Sequence, residues 1–179
     1  MDQGIVSLCN FIVTIIILRF LGIEIFGLFS FLWLFLLLIN GVQMSYIISP
    51  MLTNAPKKSS SSINSFYGGV FNQQLIFTTI IFFIIYLVLK FFGDYIIFYQ
   101  IEKYYLSFPL LIVVTQLHQF LRRLLFSKKL YLRATLCDFI TYFSLISFMI
   151  YLKYVDELTL ETVVWSFVFA FTLGTIIIL

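Results

Sequence analysis

Asp138 is the one acid set well inside an apolar run, about 12 Å of helical rise from the start of that run. An ionised carboxylate cannot stay there against hydrocarbon. It must pair with a cation, such as an arginine of the preceding run, or titrate as a proton or cation site, because intramembrane acids either find a partner or work. Both roles stay open for Asp138. The preceding run holds the densest polar set of the chain. Thr115, Gln116, Gln119, Arg122 and Arg123 recur at helical spacings that share one broad face. Guanidinium binds phosphate bidentately, so Arg122 and Arg123 suit an anionic pyrophosphate at a cavity mouth, as well as plain anchoring by snorkelling to headgroups. His118 lies one position off this pairing and reads as a hydrogen-bonding histidine.

Gln3, Ser7, Asn10 and Thr14 step by three and four along the first run and stack on one face. Such a stripe either glues its helix to a neighbour, at about 0.6–2 kcal/mol per interhelical hydrogen bond, or lines a cavity. Asn40, Gly41 and Gln43 read as a polar break in the second run, with the same two meanings. Cys9 and Cys137 sit singly in apolar runs and read as small core residues. There is no nucleotide loop, no zinc ligand spacing, and no nucleophile with a base beside it. No cofactor, metal or enzymatic step is expected.

The elements that must position these groups follow from composition. Of 179 residues, 62% are hydrophobic and 11% charged, whereas a soluble domain is about a quarter charged. A small domain exposes much of its surface, and so few charges cannot cover it. The solvent is therefore lipid. Six uninterrupted apolar runs approach the roughly 20 residues a bilayer requires: 5–21, 26–48, 70–92, 106–126, 130–152 and 163–179. They do not alternate, so the pattern predicts an all-α bundle of six spans rather than a barrel. Ser49 and Pro50 close the second run, and Asn72, Gln73 and Gln74 begin the third. Residues 53–65 read as a polar, serine-rich surface loop. The aromatic stretch 95–105 is too short to span and suits the interface.

Seven of the 11 cations fall in two connections without an acid: Lys57 and Lys58, then Arg122, Arg123, Lys128, Lys129 and Arg133. Arg19, Lys90, Lys103 and Lys153 lie in the other connections, among Glu24, Asp94, Glu102, Asp156, Glu157 and Glu161. The bias predicts a cytoplasmic N-terminus and two cytoplasmic basic loops. A net charge of +3, scattered in short clusters, is too small to imply a nucleic-acid partner, and none is expected. No basic region and cleavage site mark a removable signal, so the first run is expected to stay. Ile176-Ile177-Ile178-Leu179 ends without a polar flank, which suggests a chain that continues.

Gln3, Asn10-Phe11, Arg19-Phe20-Leu21-Gly22 and Phe26-Gly27-Leu28-Phe29 together resemble the opening of bacterial polysaccharide flippases of the O-antigen and lipid-linked oligosaccharide type. These belong to the multidrug, oligosaccharidyl-lipid and polysaccharide exporter superfamily. Ser49-Pro50-Met51 is similar to that family's exit from helix two. Arg122-Arg123, Arg133-Ala134 and Asp138 are similar to its basic loop and the start of helix five. Gly22-Ile23-Glu24 stands where the family usually has a proline-bearing turn. The resemblance implies one six-helix N-terminal lobe of a two-lobe transporter in the bacterial inner membrane, partnered by a C-terminal lobe, membrane lipid and a lipid-linked oligosaccharide. It implies a cavity lined by Asn10, Gln43, Gln116 and Gln119, with Arg122 and Arg123 drawing the pyrophosphate and Asp138 supporting or coupling the cycle. A cation-coupled drug exporter of the same fold and a membrane-embedded polysaccharide-assembly enzyme are the alternatives.

Overall fold

A computed structural model describes residues 2–59, 61–92 and 104–178. Leu179, Asp94, Glu102, Lys103 and the aromatic stretch before Tyr104 lie outside the described residues, as does the side chain of Gln3. The described chain is all-helical: α1 Asp2–Leu21, α2 Ile23–Gln43, a π-helical turn Met44–Ile48, α3 Ser49–Asn54, a 3-10 turn Ala55–Lys57, α4 Ile63–Phe92, α5 Ser107–Ser127, α6 Tyr131–Tyr154 and α7 Leu160–Ile178.

Local chemistry sets these boundaries. Gly22 turns α1 into α2 at φ 84°, a backbone that glycine adopts without a Cβ penalty. The second helix does not stop at Ser49-Pro50 as its sequence suggests. Proline lacks an N–H and is tolerated in a first turn, and the widened π-turn just before it keeps the Ser49 N–H on the Met44 carbonyl. Helix therefore continues from Ile23 to Lys57. The serine run then shortens the expected loop, because backbone bonds from Ser62 and Ile63 to the Ser59 carbonyl, both 3.1 Å, start α4 early. At α7, Thr159 and Thr162 cap each other reciprocally: each hydroxyl accepts from the other's backbone N–H, at 3.2 and 2.8 Å.

Side-chain pairs fix the helix directions. Lys153 lies over Phe20 where both helices end, so α1 and α6 run parallel. Phe35 meets Phe108 while Gln43 meets Gln116, so α2 and α5 run parallel; the Gln43–Gln74 bond sets α4 against them. Tyr86 meets Tyr105 and Tyr67 meets Ser127, so α4 opposes α5. The helices thus alternate, with α1, α4 and α6 one way and α2, α5 and α7 the other. The main core joins Val13, Ile17, Leu32, Leu36, Ile112, Leu145, Met149 and Phe167, and a smaller one gathers Ile47, Met51, Tyr67, Phe120 and Leu121.

Four helical runs are long and apolar enough to cross a membrane: Ile23–Lys57, Ile63–Phe91, Tyr131–Tyr154 and Leu160–Ile177. This is fewer than the six spans the sequence suggests. The apolar part of α1 is short, Val6–Leu21, and α5 carries its polar set inside the bundle. Large apolar side chains face outward along α1, α2, α4 and α6, among them Phe11, Leu38, Ile76, Ile84, Phe143 and Ile150. So much exposed grease marks a membrane-embedded surface.

Candidate functional site

The polar groups converge on α5, and they do so on two sides. Each residue turns the helix by about 100°, so positions that look like one broad face in sequence divide in space. Gln116 points toward α2. His118 meets α6 and α7, and Arg122 meets α6.

On the first side, Gln43 donates through Nε2 to Oε1 of Gln74 at 3.0 Å and to the Gln116 carbonyl at 2.7 Å. Gln74 donates to the Thr78 hydroxyl at 2.8 Å, and Thr78 returns its proton to the Gln74 carbonyl. Gln116 donates to Oδ1 of Asn40 at 2.6 Å, and its own Oε1 makes no protein hydrogen bond. Gln43, Gln74 and Gln116 are fully enclosed. The result is a ladder of amides clamping three helices. Asn40 and Gln43 do not break the helix; they keep helical backbone and spend their side chains across the interface.

On the second side, Arg122 Nε sits 2.6 Å from Asp138 Oδ2, and both residues are buried. A turn away, His118 Nε2 lies 3.3 Å from the Thr141 hydroxyl. Thr141 gives its single proton to the Cys137 carbonyl at 2.8 Å. Its oxygen must then accept from His118, which places the imidazole proton on Nε2 and makes Nδ1 an acceptor. Phe171 meets the imidazole edge-on at 5.1 Å. Gly174 lets α7 come this close, since a Cβ there would collide with the Thr141 hydroxyl and lie 3.0 Å from His118 Nε2.

The predicted residues do not surround one cavity. Asn10 is half-buried on α1, away from the glutamines; with Thr14 and Ser30 it edges a cleft of about 250 Å³ walled by Phe26, Phe29, Trp33 and Phe167. Thr14 and Ser30 bond back to carbonyls of their own helices, at 2.8 Å each. Ser7 is exposed, whereas Gln119 and Arg123 are half-buried near the end of α5. Gln74, Thr78, Thr141 and Gly174 join the polar interior without having been singled out by sequence. For Gln74 the signal was the run Asn72-Gln73-Gln74, of which Asn72 and Gln73 are exposed and only Gln74 turns inward.

At one end of the bundle the two basic connections meet. Tyr67 and Ser127 share a 2.7 Å hydrogen bond, and Lys128 lies over the Tyr67 ring. At the other end Lys153 bonds Asp156 at 2.8 Å and holds that exposed carboxyl below its ordinary range. Tyr104 is pushed up there by burial and by Glu161.

Fold and site together define a helical membrane protein with a hydrogen-bonded, charge-paired interior. No family model, curated protein or solved structure matches the chain.

Proposed function

We propose that the chain is one lobe of a flippase that carries a lipid-linked oligosaccharide from the cytoplasmic to the outer leaflet of a bacterial inner membrane. In this reading all six long helices cross the bilayer, and the N-terminus and both basic connections are cytoplasmic. A second, related lobe completes the path, as in transporters built from repeats. The supporting observation is the inward turn of Gln43, Gln74, Gln116, His118, Arg122 and Asp138 inside helices whose outer faces are apolar. Polar groups kept at membrane depth belong to a bundle interior or a watery route. The alternating helix directions and the gathering of seven cations at one end agree with it.

Arg122, whose guanidinium meets Asp138, and Arg123 beside it at the basic end draw in the pyrophosphate in this reading. Asn10 and Gln119 meet the sugar, and the glutamine ladder holds the helices that must move against each other. No covalent bond is made or broken. A cation-coupled drug exporter needs an acid open to its cargo, and Asp138 faces a guanidinium at 2.6 Å.

Surface polysaccharide export by cells producing the full-length native protein tests this reading. Arg123→Ala lowers export about tenfold at an unchanged protein level, the loss expected from removing one charge-assisted phosphate contact of about 1.5 kcal/mol. Arg123→Lys keeps part of it. Export unchanged in Arg123→Ala removes the steering role.

A further inference from the structure

We propose that the corner where the two basic connections meet is a binding surface for anionic phospholipid headgroups, distinct from any transported lipid. Lys58 follows the 3-10 turn, and Lys128 follows α5, far away in sequence. Their ammonium groups nonetheless settle over neighbouring rings, Lys58 over Phe66 and Lys128 over Tyr67, each 5.4 Å from the centroid. The rings are 5.9 Å apart, and the Tyr67–Ser127 hydrogen bond ties the α4 start to the end of α5. Two cations from separate connections are therefore held at one corner by the fold.

The charge of this corner is not cancelled. Residues 53–65 and 122–133 contain no acid, and among the described residues no carboxylate pairs with Lys58 or Lys128. Lys57, Lys58, Lys128, Lys129 and Arg133 are all exposed. Seating over an aromatic face leaves an ammonium's charge intact while burying its stem, the arrangement by which lysines reach headgroup phosphates. The corner also adjoins an apolar ledge. Tyr131 and Leu132, 55% and 80% exposed, flank Lys129 and Arg133. A small free anion has no use for that ledge, but a phospholipid lays its acyl chains beside it. Basic clusters at a membrane edge attract anionic lipid at about 1 kcal/mol per cation, or roughly fivefold in affinity each.

Lys90 supplies an internal comparison, since it too lies over a ring, Tyr86 at 5.6 Å, but at the opposite end of α4. The test uses the full chain in phosphatidylcholine nanodiscs, with and without phosphatidylglycerol, reading bound lipid by native mass spectrometry and the thermal midpoint. Phosphatidylglycerol binds the unaltered chain and raises its midpoint, and near 1 M salt the effect fades. The Lys58→Ala/Lys128→Ala double variant binds about 25-fold more weakly. Lys58→Arg/Lys128→Arg restores binding, and Lys90→Ala leaves it unchanged. The proposal is overturned if the double alanine variant retains phosphatidylglycerol as the unaltered chain does, or if Lys90→Ala loses as much. It is equally overturned if millimolar inorganic phosphate raises the midpoint as far as the lipid does, which would make the corner a free-anion site.

Discussion

Replacing Gly174 by alanine tests whether α7 is truly pressed against the His118–Thr141 contact. In an ordinary helix interior the change would stabilise by about 1 kcal/mol, because alanine is the better helix former. Here the new methyl would collide with the Thr141 hydroxyl and crowd two atoms of the His118 ring at 3.0 and 3.1 Å. Either α7 moves outward or Thr141 rotates, and rotation breaks its bonds to the Cys137 carbonyl and to His118. Overpacking costs about 1–3 kcal/mol, and stranding buried polar atoms costs a similar amount. After the propensity gain is subtracted from the two costs together, we expect a net loss of about 1–5 kcal/mol. For a chain of this size that lowers the thermal midpoint by about 2–20 °C. Thermal unfolding of Gly174→Ala, Thr141→Ala and the double variant in one detergent measures the coupling. Thr141→Ala removes the struck atom, so the double variant should lose less than the sum of the singles, by about 1–2 kcal/mol. A Gly174→Ala chain that melts higher than the parent, or strictly additive losses, would refute the close approach.

Breaking the buried Arg122–Asp138 pair from one side, as in Asp138→Ala, should destabilise by about 3–5 kcal/mol, whereas Arg122→Met with Asp138→Leu should recover most of it. Chemical unfolding in detergent measures both, and single variants as stable as the parent would mean the pair is not buried. Thr159→Ala should cost about 1 kcal/mol by removing the cap of α7, read in the same assay. Asp156 gives a small pH effect of known sign: its lowered folded pKa means the Lys153 contact contributes above the ordinary carboxyl value near 4 and is lost as pH falls through the lower folded one. An NMR titration of the Asp156 carboxyl checks the direction.

Helix existence was legible because hydrocarbon imposes it: a 20-residue apolar run has few other uses. Boundaries were less so. Pro50 looked like a stop, yet a proline in a first turn, preceded by a π-turn that reassigns the neighbouring N–H, lets helix run on to Lys57. The loop expected over 53–65 gives way to helix sooner at its far end, because the Ser59 carbonyl accepts from Ser62 and Ile63 and α4 starts at Ile63.

The polar residues picked out on α5 divide between two of its sides, and the reason is angular. Gln116 and Arg122 are six residues apart and lie about 120° from each other around the helix, enough for one to meet α2 and the other α6. Hydropathy likewise could not rank α5. Its charges and amides make it the weakest candidate for crossing lipid alone, and this is the physical reason it is enclosed, with Ile112, Gln116, His118 and Phe120 shielded by α2, α4, α6 and α7. Each polar group on it costs free energy in hydrocarbon, and each inward partner offsets that cost: Gln43 and Asn40 from α2, Asp138 and Thr141 from α6. The apolar outer helices and the polar inner one are therefore mutually dependent. A charge-reversing change such as Asp138→Lys should expel α5 from its place, while polar substitutions on the exposed edge near Lys128 should leave it there.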